Sequence, residues 1–147
     1  MSAAGQTLLF PSGPGPLFDA RRDLRLFDGR TRTDRPMFLV ARQWAAGGGV
    51  ALHVWQPPRG GWPGAPRVFL REARAGRPWA HLFDQDVRRL QEFARRLGVR
   101  RIVVHHADTP RQHVDLCGGP LDRAMLLACE YGTVVYGDAA TQPEASS

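Results

Sequence analysis

Apolar positions recur along this chain with two periods, and the change of period from segment to segment predicts most of its elements. The helical period is clearest over 84–98, where Val87, Leu90, Phe93, Ala94 and Leu97 fall on one face. Asp84 is placed to cap the start, with Asp86 in the first turn, where negative charge suits the helix dipole. Arg95 and Arg96 fall in the last turn, and Gly98 supplies the residue just past it. A second helix is expected from Pro120, which fits the first helical position, with Leu121, Ala124, Met125, Ala128 and Cys129 inward and Gly132 as its stop.

Shorter apolar runs predict strands. The run 24–27 ends in the turn dipeptide Asp28-Gly29, and Val68-Phe69-Leu70 is a short strand of buried type. The run 99–105 has a continuously apolar centre, Ile102-Val103-Val104, as expected of a parallel strand covered on both faces, and Thr133–Tyr136 closes the series. Runs at 37–44 and Val50–Trp55 flank the Gly-rich stretch 45–49 and read as a β-hairpin, with a helix over Met37–Ala46 as its main competitor. Within Val50–Trp55, Val50, Leu52 and Val54 share one face, and Ala51, His53 and Trp55 share the other.

Prolines and glycines over 56–66 exclude regular structure there and divide the chain. The expected organisation is a 1–66 extension carrying the hairpin, an α/β domain over 67–136 and a flexible tail over 137–147. The order β-α-β-α-β implies a small parallel or mixed sheet.

Composition changes this picture only slightly. The net charge is +6, yet all twenty basic residues are arginine, asparagine is absent and Ile102 is the only isoleucine. Those biases match a GC-rich genome, so the charge is weak evidence for a polyanionic partner. Two cysteines make no disulfide framework. No apolar run reaches membrane-spanning length and the start lacks a signal peptide's charged and apolar regions, which gives a cytoplasmic expectation.

Candidate chemistry lies at the expected carboxyl ends of the strands and in the loops beside them. Glu72, His105, His106 and Asp108, with His81, His113 and Asp115, could hold a hard or borderline divalent cation. His105 and His106 are adjacent, so in an extended chain only one could join a site. His113 and Asp115 would share a side if their loop is extended, either as two ligands or with Asp115 orienting His113. His81, His113 and Asp115 are the candidates for metal binding or acid–base work, with Glu72, His106 and Asp108 as further ligands. The structural alternative has His81 packing at the start of the helix while His113 and Asp115 tie down a long loop. Cys117 precedes a helix N-terminus, but one thiol near one histidine is weak evidence for catalysis.

Gly76-Arg77-Pro78-Trp79-Ala80-His81-Leu82 with Asp84, the run 90–98 and His113-Val114-Asp115-Leu116 resemble the small bacterial and phage family termed domain of unknown function 4031. The last motif is similar to that family's His-Tyr-Asp-Leu signature, with Val114 in the aromatic position. Relatives begin with a strand ending in Asp, where this chain has Leu70-Arg71-Glu72. The resemblance covers 67–136 and implies positions rather than a reaction. The leading expectation is a polar-ligand or metal site built from His81, His113 and Asp115; if the protein is an enzyme, the reaction expected is metal-assisted hydrolysis, for instance of a phosphodiester. The rival is a non-catalytic module that binds nucleic acid or protein through Arg88, Arg89, Arg95, Arg96, Arg100 and Arg101, with Trp55 or Trp79 stacking on a base.

Overall fold

A computed structural model describes residues 18–30 and 36–136. The expected lead-in, the loop after Arg30 and the tail lie wholly or mostly outside the described residues. The elements are α1 (Ala20–Asp23), β1 (Leu24–Asp28), α2 (Met37–Ala46), β2 (Val50–Trp55), α3 (Arg67–Arg74), β3 (Trp79–Phe83), α4 (Val87–Arg96), β4 (His113–Cys117), α5 (Gly118–Tyr131) and β5 (Thr133–Tyr136). The fold is α/β, built on an open five-stranded sheet of order β4-β3-β2-β1-β5. The sheet is mixed: β1 runs parallel to β2 and β5, whereas β2, β3 and β4 are successively antiparallel.

The expected N-terminal hairpin is not formed. Its first arm is α2, in which Met37, Ala41 and Ala45 are buried at a spacing of four, so the helical competitor describes this segment. Its second arm is β2, which pairs with β1 and β3 at the centre of the sheet. Residues expected to form an extension therefore supply two of the three inner strands.

Val68-Phe69-Leu70 lies in α3 rather than in a strand; three apolar residues cannot distinguish the two periods. The run 99–105 is irregular apart from one bridge between His105 and His113. Its Ile102 and Val104 instead lay partly buried side chains against the core. The strands that do carry this half of the sheet are β3 and β4, over stretches expected to be a helix approach and a loop.

The helix at 84–98 is present as α4, but its cap is Asp86, whose side chain accepts from the backbone N–H groups of Arg88 and Arg89 at 3.1 Å. Gly98 follows it with φ +99°, a left-handed conformation that favours glycine. Asp84 has a different task. Its fully buried carboxylate receives two hydrogen bonds from Arg89, each 2.8 Å, and one from the Asp86 N–H at 2.9 Å. Arg89 also donates to the Gly48 carbonyl at 2.9 Å, which ties α4 to the turn between α2 and β2.

Alternation along the strands divides the core between two faces. Leu24, Leu26, Val50, Leu52, Val54, Ala80, Leu82, Val114 and Leu116 meet α4 through Leu90, Phe93 and Ala94, and α5 through Leu121, Ala124 and Ala128. On the other face, α2 packs over Phe27, Ala51 and Phe83, and α3 packs with Trp79 and Cys117. Cys129, expected inside α5, is exposed. Among the described residues no helix is long and apolar enough to cross a membrane.

Candidate functional site

One row of side chains crosses the face that α2 and α3 cover only in part. Strand register places Val135, Phe27, His53, His81 and Asp115 side by side on five successive strands. The row is apolar where α2 lies over it and polar beyond. The adjacent row carries Ala51, Phe83 and His113, and the bridge to His113 brings His105 alongside.

His81, His113 and Asp115 converge: one ligand atom from each lies within 4.8 Å of the others. Their placement follows from β3 and β4 both being extended, so the i and i+2 residues His113 and Asp115 share a side and His81 sits directly across from Asp115. Nδ1 of His113 is 2.7 Å from the Arg111 carbonyl, which can only accept, so that nitrogen carries a hydrogen. In a neutral ring Nε2 then presents a lone pair, and it faces an Asp115 oxygen at 3.2 Å. Two acceptors at that distance require a proton or a cation between them. His105 Nε2 approaches the other Asp115 oxygen at 3.3 Å.

On the inner side, Nδ1 of His81 and Nδ1 of His53 are 3.0 Å apart, so one donates and the other accepts. When His81 is the donor, its Nε2 carries the lone pair that a ligand can use. Burial pushes His53 down to about 3, helped by His81 and opposed by Asp28. Burial also pushes His81 down to about 4, with His113 and His105 adding to the effect and Asp115 opposing it. Both rings are neutral at physiological pH, the form that binds a metal. Burial works against charge on Asp115, but hydrogen bonding and attraction from His113, with His81 and His105 adding, hold it below the usual aspartate value.

The remaining expected ligands stay apart from this cluster. Glu72 is buried on α3 and bound by Arg77 at 2.6 and 3.1 Å. His106 and Asp108 adopt left-handed backbone conformations, φ 53° and 63°, in the turn after the bridge. Of the adjacent histidines it is therefore His105 that reaches Asp115. His106 stands beside His113 with ring centroids 5.8 Å apart. Buried Gln112 pins this turn, accepting from the Asp108 N–H at 2.9 Å and donating to the Asp84 carbonyl at 2.8 Å. Burial pushes the Cys117 thiol up to about 12, with Glu72 adding, so it is not a thiolate nucleophile near neutrality.

His53, Arg42 and Arg111 were not singled out as site residues by motif or spacing, and of the adjacent pair His105 and His106 the extended-chain argument left open which one would join. The signal for His53 was present, since it alternates with the core residues of β2. A cleft of about 420 Å³ opens over the histidines. His53, His81, Phe83 and His113 contribute to it from the sheet, Phe38 and Arg42 from α2, Trp55 and Trp62 from β2 and the following loop, and His106 and Arg111 from the turn. Asp115 and His105 line a larger, mainly apolar groove beside β4, so the cluster stands between the two cavities. The Arg42 Nε is closed off from solvent and has no hydrogen-bond partner among the described residues. An unmet buried donor of this kind costs about 1–3 kcal/mol. No sequence family, curated protein or solved structure matches the chain.

Proposed function

We propose that His81, His113 and Asp115 bind a divalent metal ion and that the protein is a metal-assisted hydrolase acting on a phosphodiester. The observation that carries this reading is the convergence of His113 Nε2 on Asp115 at 3.2 Å, with His81 completing a three-ligand set. Two imidazoles and a carboxylate suit a borderline cation such as zinc or manganese, and three protein ligands leave room for water. A bound cation lowers the pKa of that water, and His106, outside the ligand set, is the candidate base. The Arg111 carbonyl orients His113 from behind, as partners of metal-bound histidines commonly do. The resemblance of 67–136 to domain of unknown function 4031 falls on these same three residues and belongs to the proposal.

Elemental analysis of the purified chain, with thermal unfolding in manganese, magnesium and zinc, tests the site. The expected result is a metal-dependent rise in unfolding temperature that His113→Ala abolishes. No response in the wild type, or the same response in His113→Ala, rejects the metal site. Hydrolysis of bis-p-nitrophenyl phosphate by the metal-loaded protein, absent in His113→Ala, tests the reaction.

A further inference from the structure

We infer that the cleft over the histidines binds one nucleotide, with Arg42 and Arg111 on its phosphate and Trp55 and Trp62 against its base. This rests on the hydrolase reading for its chemistry and narrows the substrate to a phosphate ester carrying a planar aromatic group.

The arginines give the anionic half of the argument. Arg42 lines the cleft from α2, and among the described residues its buried Nε has no hydrogen-bond partner, so its guanidinium is not tied up within the protein through that nitrogen. A guanidinium has donors and no acceptor, and its planar fork matches two oxygens of a phosphate. Arg111 lines the same cleft from the opposite turn, and among the described residues no carboxylate pairs with either side chain. A metal bound by His81 and His113 would lie at the same cavity, beside the bound phosphate.

The walls give the aromatic half. Phe38 and Trp62 remain 44% and 52% exposed at the cleft, so their rings are open to a planar group stacking on them. Trp55 lies nearly parallel to His81, with an interplanar angle of 7° and centroids 5.6 Å apart, so the wall beside the histidines is already built of stacked planes. A volume of about 420 Å³ is that of a site for one small ligand and excludes a duplex.

Tryptophan fluorescence of the full chain in EDTA, titrated with adenosine monophosphate, adenosine, inorganic phosphate and a short single-stranded oligonucleotide, tests the subsite. Adenosine monophosphate is expected to quench the emission and to bind roughly tenfold or more tighter than adenosine or phosphate. Arg42→Gln should cost roughly tenfold in that affinity and leave adenosine binding unchanged, with Arg111→Gln giving a second, smaller loss. An oligonucleotide that binds more tightly than the monophosphate assigns the nucleotide to a single strand, and one that does not assigns it to the free pool; both support the subsite. Equal affinity for adenosine and its monophosphate overturns it. So does an unchanged affinity in both Arg42→Gln and Arg111→Gln when they unfold at the wild-type temperature. Because EDTA removes metal, such a failure leaves the metal site standing, while nucleotide binding without any metal response would reject only the hydrolase reading.

Discussion

Along β2 and β3, consecutive residues serve opposite faces of the sheet under very different conditions. Leu52, Val54, Ala80 and Leu82 enter a core that α4 and α5 cover completely, and all are essentially inaccessible to water. Their neighbours His53, Trp55, His81 and Phe83 enter a face that α2 and α3 cover only in part, and the cleft opens on that face beside α2. The alternation is the same, but what lies above it differs. A closed face is stabilised by transferring apolar surface out of water, whereas the open face holds imidazoles whose burial opposes their charge. The strands position the site and the incomplete helical layer leaves it accessible.

The largest expected effects belong to the closed side. Asp84→Ala would leave the Arg89 guanidinium to the Gly48 carbonyl and to Asp23, 4.0 Å away, and should cost about 3 kcal/mol, read by urea denaturation. Leu82→Ala should cost about 2–5 kcal/mol because the site is fully enclosed. His81→Gln, one residue away on the same strand, should cost clearly less while removing a metal ligand. Equal losses for Leu82→Ala and His81→Gln would mean that both faces act as core and would break the contrast.

Acid should discriminate between the faces more finely. The folded values of His53 and His81 lie near 3 and 4, below the ordinary histidine value, so the unfolded chain binds more protons between about pH 4 and 6.5. Stability therefore rises with pH across that window and levels off above it, by up to about 1.4 kcal/mol per pH unit for each histidine. Asp23, Asp28 and Asp115, all held below the usual aspartate value, lose their contributions at lower pH. In EDTA, His53→Gln should flatten the slope by one histidine's share. An unaltered slope would place the titrating groups elsewhere.

Metal binding sharpens the comparison from the other side. At a free metal concentration of 100 times Kd, wild-type stability should rise by about 2.7 kcal/mol, and Asp115→Asn should lose most of that gain. Leu82→Ala should retain it, though starting from a less stable protein. A gain lost equally in both variants would show that the response reports general folding rather than the cluster.

How much of this was legible in the sequence depended on where period and pairing agree. The α4 face, the two sides of β2 and the β5 run were readable because their burial follows one clear period. His113 and Asp115 were readable as a pair because an i, i+2 spacing needs only an extended backbone. The cross-strand pairing of His81 with Asp115 depends on the antiparallel return of β4 onto β3, across 33 intervening positions in the chain, and no local pattern encodes it. The run 99–105 misled for the converse reason: its apolar side chains fill the core, but its backbone reaches the sheet only at His105. Met37–Ala46 satisfied both periods, and burial at every fourth residue decided for the helix. Arg42 lies on that helix, so reading the segment as a strand also hid the cleft's cation.

The smallest expected effect separates the cleft arginines from the rest. Half of the arginine-rich stretch around α4 is committed to the protein itself: Arg89 is held by Asp84, and Glu92 binds Arg95 at 2.6 Å and Arg96 at 2.7 Å. Those last pairs are on the surface, where solvent and salt screen them. Replacing Arg95 and Arg96 together with glutamine should therefore change the unfolding free energy by no more than about 0.5 kcal/mol per pair. The same variant should keep wild-type affinity for adenosine monophosphate, because neither residue lines the cleft that Arg42 and Arg111 share. A loss as large as that expected of Arg42→Gln would move the anion site from the open face of the sheet to the outer surface of α4. The rival of a binding module working through its arginine-rich face would then account for the ligand better than the cleft does.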